Sequence, residues 1–169
     1  LRYVPPGARR PVTAPPGDPG ALAAAARTRA WLERGAVPGS DGAERAIAAR
    51  SLLNIRLLVL PGGAAIAAAR DRWDYVWPRD AGWMAAALAA TGHHAESRAV
   101  LRFLARTQLP DGTWEARYRP DGSPVLDGRA PQLDANGWFL WSLWLHTRTG
   151  DRWGDARELW PAARWAADA

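Results

Sequence analysis

Residues 73–83 read WDYVWPRDAGW. Trp73, Tyr75 and Trp77 alternate, so in an extended segment their rings project to one side. Arg79 and Asp80 follow, where a helical pattern begins that runs from Asp80 to Ala90 and stops at Thr91-Gly92. Asp80 at that place can cap free backbone N–H groups. Arginine presents a planar fork of donors and aspartate two acceptor oxygens. An aromatic platform beside a donor fork and a carboxylate suits a sugar: rings cover its flat apolar face while its hydroxyls take the hydrogen bonds. The same residue types also fit a capped helix with an Arg–Asp surface pair and a Trp-lined core.

The segments on either side are helical too. Residues 1–20 are dense in Pro and Gly and form an irregular arm rather than a helix or a good strand. An Ala-rich helix is expected over 20–34, closed by Gly35 and Pro38. A second starts near Asp41 as N-cap, with Ala46, Ile47, Leu53 and Leu57 on its apolar side, and Pro61-Gly62-Gly63 stops it. Residues 63–69 are small and apolar and read as a short extended piece or a buried turn. A further helix is expected over 94–107, where Val100, Phe103, Leu104 and Thr107 share one face. Residues 108–130 read as a long polar loop, with turn signals at Pro110-Asp111-Gly112 and Pro120-Asp121-Gly122. The next helix spans 132–149, places Trp141, Trp144 and Leu145 on one face, and is closed by Gly150. A last one begins near Trp153 and carries Leu159, Trp160, Ala163 and Ala167, with Pro161 expected to kink or divide it. This succession predicts an all-α chain: an incomplete (α/α)6 toroid, or six-hairpin barrel, with roughly the first half of its helices. Its organisation is a Pro/Gly-rich arm and short helix over 1–40, then toroid over 41–169.

Composition narrows the partners. The 169 residues carry a formal charge of +5, and all 22 basic residues are Arg. They are scattered among acidic residues rather than clustered, which argues against nucleic acid as a partner. There is no cysteine, so disulfides and thiolate metal sites are excluded. No run of about 18 apolar residues occurs, so no membrane span is expected, and no signal peptide is visible. Of the eleven tryptophans some must be core, but the same side chain stacks on the flat apolar faces of sugars while its N–H hydrogen-bonds.

Tyr75-Val76-Trp77-Pro78-Arg79-Asp80-Ala81 resembles the YxWxRD signature of glycoside hydrolase family 15, the glucoamylases, glucodextranases and related trehalases. Ser51-Leu52-Leu53 and Gly63-Ala64-Ala65-Ile66-Ala67-Ala68 resemble the helix and small-residue segment ahead of that signature. Ala130-Pro131-Gln132-Leu133-Asp134-Ala135-Asn136-Gly137 resembles the stretch that opens a later helix. The resemblance implies an inverting, exo-acting α-glycosidase that releases glucose from an oligosaccharide or disaccharide, without metal or other cofactor. It implies that Arg79 and Asp80 hold hydroxyls of the terminal non-reducing sugar, that Trp73 stacks on it where the family usually has Tyr, and that Asp134 lines or buttresses the pocket. Tyr75 and Trp77 complete the wall.

Inverting glycosidases place an acid and a base about 6.5–9.5 Å apart. In the family both come after the stretch resembled by 130–137, so the catalytic pair is expected C-terminal to Ala169. The chain is then a fragment, inactive alone, whose partner is the remainder of its own domain. Trp114-Glu115 copies the family's Trp-Glu acid motif out of order and reads as a solvated loop glutamate. Glu96 and Glu158 read as residues of polar helix faces, His93 and His94 as an adjacent pair without the third ligand a metal site needs, and His146 as a lone helical histidine. Two other readings compete. Gln108 to Trp114 resembles one QW repeat of terpene-cyclase toroids, where Gln and Trp tie helix ends together. Alternatively, a glucoamylase-like domain of the kind in phosphorylase kinase regulatory subunits would bind without hydrolysing.

Overall fold

A computed structural model describes residues 15, 17–70, 73–129 and 132–169; of the irregular arm expected over 1–20, residues 1–14 and 16 lie outside them, and a helix already begins within it at Pro19. Among the described residues there are six helices: α1 (Pro19–Glu33), α2 (Gly42–Leu58), α3 (Pro78–Ala90), α4 (His94–Thr107), α5 (Asp134–Gly150) and α6 (Trp153–Asp168). Three isolated antiparallel bridges supply the remaining regular pairing among those residues. The chain is all-α.

α3 and α4 form one helical hairpin, α5 and α6 a second. The hairpins lie side by side, with α3 against α5 as the most extensive interface. Small residues make that approach possible. Gly82 and Ala81, Ala85, Ala86 and Ala89 are buried on α3. A Cβ on Gly82 would stand 3.2 Å from both Cβ and the carbonyl oxygen of Trp138. The core fills from four helices and the segments between them: Ala81 and Ala85 of α3, Val100, Leu101, Phe103 and Leu104 of α4, Phe139 and Leu143 of α5, Leu159 and Ala163 of α6, Ile66 and Val76 ahead of α3, and Trp114 and Tyr118 between α4 and α5. The face expected on α4 is the buried one in full.

A second, smaller core joins α1 and α2 to the first hairpin through Trp31, Leu52 and Leu88. Trp31 stacks on His93 with ring centroids 3.7 Å apart and planes within 7°. Its indole N–H donates to Glu96 at 2.6 Å. Arg56 lies over the same indole. Glu96 and His93 thus serve α1 packing.

Four local expectations are corrected. The N-cap of α3 is Trp77, not Asp80, because Pro78 at the first helical position starts the helix two residues sooner. Asp151, at φ 50°, takes the left-handed position after α5 rather than Gly150; Gly150 ends the helix, and a Cβ there would meet the His94 ring at 2.6 Å. Trp144 faces outward on α5, while Ala135, Phe139, Ser142, Leu143, His146 and Thr147 face the core. Pro161 neither divides nor ends α6, which is continuous around it; its ring is on the exposed side.

Loop 108–130 is less polar in position than in composition. Side chains from 113 to 118 alternate, with Trp114, Ala116 and Tyr118 buried. Gln108 Nε2 donates to the carbonyls of Gly112 at 2.9 Å and Ala162 at 3.0 Å. Asn136 Nδ2 donates to the carbonyl of Ala166 at 2.9 Å. Both amides therefore reach α6. The loop tip is pressed onto the same helix: a Cβ on Gly112 would fall 2.3 Å from the Trp165 carbonyl oxygen.

Candidate functional site

Three short extended segments meet ahead of α3. Ala67 N–H donates to Tyr75 O at 3.0 Å, and Ala68 N–H to Trp73 O at 2.9 Å. On the other side Val76 and Tyr118 exchange both backbone hydrogen bonds, at 2.8 and 2.9 Å. The aromatic row is thereby pinned between the 64–68 segment and the strand-like part of loop 108–130. Alternation then works as the sequence requires: Val76 points into the core, and the rings of Trp73, Tyr75 and Trp77 gather on the other side. Trp77 lies 5.9 Å from Trp73 and 6.0 Å from Tyr75. The row grades from Trp73, 56% exposed, to Trp77, 8% exposed.

Trp77 leads directly into α3, so Arg79 and Asp80 lie in the first turn at the foot of this row. Asp134 opens α5. Arg79 Nη1 donates to Asp134 Oδ2 at 3.0 Å, and Arg79 Nε stands 3.6 Å from Asp80 Oδ1. The hydrogen bond to Asp134 raises the Arg79 pKa above its usual value against the effect of burial, and Asp80 adds to it. Both carboxylates sit in first turns, where helix dipoles favour negative charge. All three side chains remain about two-fifths exposed, so their outer lone pairs and N–H groups are open to a hydroxyl-bearing ligand.

Of the six residues singled out in the sequence, the structure groups Trp73, Tyr75 and Trp77 by their rings and Arg79, Asp80 and Asp134 by their charges. It also adds one. Arg117 spreads its guanidinium over Tyr75, 4.7 Å from the ring centroid, and lies 5.7 Å from that of Trp77. Its head is ion-paired with Asp127. The period-2 pattern Trp114, Ala116, Tyr118 was the available signal for it, since Arg117 must then point opposite to Tyr118.

Of the Trp114–Glu115 pair, Trp114 turns into the core. The Trp114 indole is buried against Phe139 and donates to Leu104 O at 2.8 Å. The Glu115 backbone N–H takes the Tyr118 hydroxyl as acceptor at 2.8 Å, and burial pushes that phenol's pKa to about 12. Glu158 is locked to Arg98 and Arg102. Hydrogen bonds from Arg102 and Arg98 hold its carboxyl at about 2. His146 is buried, with Nδ1 3.0 Å from Ser97 Oγ and Nε2 3.0 Å from Asp155 Oδ2.

No family model matches the chain. A protein of Methanocaldococcus jannaschii described as an uncharacterized glycosyl hydrolase is 35% identical over 109 residues, which make up 63% of this chain and 17% of that protein. A solved glycosidase structure superposes with a TM-score of 0.57 at 21% identity, over 89% of this chain and 41% of the other. The chain therefore has the fold of part of a glycosidase, consistent with an incomplete α/α toroid, and it spans less than half the length of either relative. Among the described residues no helix is long and apolar enough to cross a membrane.

Proposed function

We propose that this chain forms the sugar-recognising wall of a glycoside hydrolase of the glucoamylase-like kind, exo-acting and inverting, that releases glucose from α-glucan or trehalose-like substrates. The observation that carries this reading is the Arg79 guanidinium, shared between Asp80 and Asp134 at the foot of an aromatic row. Trp73 offers the most open ring and stacks on the terminal sugar. Arg79, Asp80 and Asp134 together supply donors and acceptors spaced for neighbouring hydroxyls. Tyr75 and Trp77 continue the aromatic wall beside Trp73.

In this reading both carboxylates bind sugar rather than transfer protons, and their shared guanidinium supports it. Asp134 accepts from Arg79 and Asp80 lies beside the same guanidinium, and each keeps further lone pairs for a hydroxyl. This reading puts the acid and base outside the 169 residues.

The test is glucose release from maltose and trehalose, with binding of both sugars measured alongside. The chain itself is expected to bind without hydrolysing, and a longer form encoded by the same gene to do both. Asp80→Ala is expected to abolish binding and turnover together. Hydrolysis by the 169 residues alone would overturn this assignment and move the acid to Glu115.

A further inference from the structure

We propose that Arg117 is a positioning residue of the sugar site, which rests on the reading above: it covers one face of the Tyr75–Trp77 platform and latches the 119–129 loop to it through Asp127. Four observations converge. The guanidinium lies over Tyr75 and beside Trp77, where the negative ring faces attract it. The Arg117 side chain is 14% exposed, so little water screens that attraction. The backbone pairing of Val76 with Tyr118 fixes the register, so Arg117 cannot slide along the aromatic row. Beyond it, Asp127 pairs with both Arg117 and Arg129, and Val125 N–H donates to Arg117 O at 3.0 Å.

One cost marks the arrangement as more than surface chemistry. Arg117 Nε is buried and has no hydrogen-bond partner among the described residues. A buried donor left unpaired is unfavourable, and a lysine or an apolar residue would avoid it. The planar head is what a lysine lacks: it lies flat on a ring and grips a carboxylate at the same time. Arg117 thus occupies the inner face of Tyr75, leaves the sugar to the outer faces, and carries the 119–129 loop to the rim of the site.

The experiment titrates the chain with maltose and with trehalose by calorimetry, and follows hydrogen exchange of the 119–129 segment without sugar. Arg117→Ala is expected to weaken binding about tenfold, Arg117→Lys to recover part of it, and Asp127→Asn to weaken it several-fold. The Arg117→Ala/Asp127→Asn double variant is expected to be no weaker than Arg117→Ala alone, because one latch is broken in both. Exchange in 119–129 is expected to quicken in both single variants and not in Arg79→Ala. Sugar binding unchanged in Arg117→Ala, or strictly additive losses, overturns the proposal while leaving the sugar site intact. If the unaltered chain binds neither sugar, or Arg79→Ala binds like it, the sugar reading fails instead. Unchanged exchange in Arg117→Ala then removes the latch as well.

Discussion

Arg79 and Asp134 are 55 residues apart in sequence and 3.0 Å apart in space, so one guanidinium joins the first turns of α3 and α5. The pair is about two-fifths exposed on each side, and its worth to stability is therefore small. Asp134→Asn is expected to cost about 1 kcal/mol or less in unfolding free energy and to weaken maltose or trehalose binding about tenfold or more. Denaturant unfolding and calorimetry on the same samples separate the two. A stability loss with unchanged binding would make the pair a helix tie only.

Gly63 gives a sharper stability test. It adopts φ +88°, and a Cβ there would fall 1.9 Å from the Ala99 carbonyl oxygen on α4. Gly63→Ala is expected to cost about 3 kcal/mol or more, since backbone must move as well as strain. Gly137, exposed on α5 with nothing near its Cβ position, is the control. Gly137→Ala is expected to gain about 0.5–1 kcal/mol from helix propensity.

These contacts also divide what the sequence told from what it hid. The face of α4 was legible because Val100, Phe103, Leu104 and Thr107 follow a helical period and nothing competes with it. Asp41 was legible as an N-cap and accepts from Glu44 N at 2.9 Å. Loop 108–130 was misjudged because its exposed half, rich in Asp and Arg, outweighs the alternating Trp114, Ala116 and Tyr118 in a composition count. Arg117 was missed with it. α5 was ambiguous because tryptophans ring the helix, so hydrophobicity alone did not choose the face that meets α3; Gly82 chose it, by letting Trp138 come close. The partnership of Arg79 with Asp134 has no local spacing; family resemblance singled out each residue but not their contact, which only the fold supplies.

Trp114 and Trp160 carry the same side chain to opposite fates. Trp114 is 1% exposed and its indole N–H is bonded to Leu104 O, whereas Trp160 is 63% exposed. Trp114→Phe is expected to cost about 2–3 kcal/mol through the lost bond and the void behind it. Trp160→Phe is expected to stay within about 0.5 kcal/mol. Thermal or urea unfolding of the two variants side by side reads the difference.

Acid sensitivity is expected to begin at the α3–α4 junction. Burial lowers the pKa of His93, with Arg34 and Arg56 pushing the same way and Glu96 opposing. Burial also lowers that of His94, with His146 and Arg152 pushing the same way against Asp155. A histidine with a depressed folded pKa is neutral in both states above about 6.5. Below that value the unfolded chain takes up protons first, so stability falls as the pH falls. The unfolding midpoint is expected to drop between pH 7 and pH 5, and His94→Gln to flatten part of that slope. A midpoint independent of pH over this range would exclude both groups as the cause. Glu158 enters later, below about 4.5 and down to its folded value of about 2, as its carboxylate loses Arg98 and Arg102.

The face contact between Trp31 and His93 has an optical consequence. A protonated imidazole withdraws an electron from an excited indole, whereas a neutral one does so weakly. Trp31 therefore shines when His93 is uncharged and dims when it gains a proton. A difference spectrum against Trp31→Phe isolates that signal from the other ten tryptophans. The seam where α1 meets the first hairpin thus contains its own lamp, and its brightness reports the protonation of the residue that closes the seam.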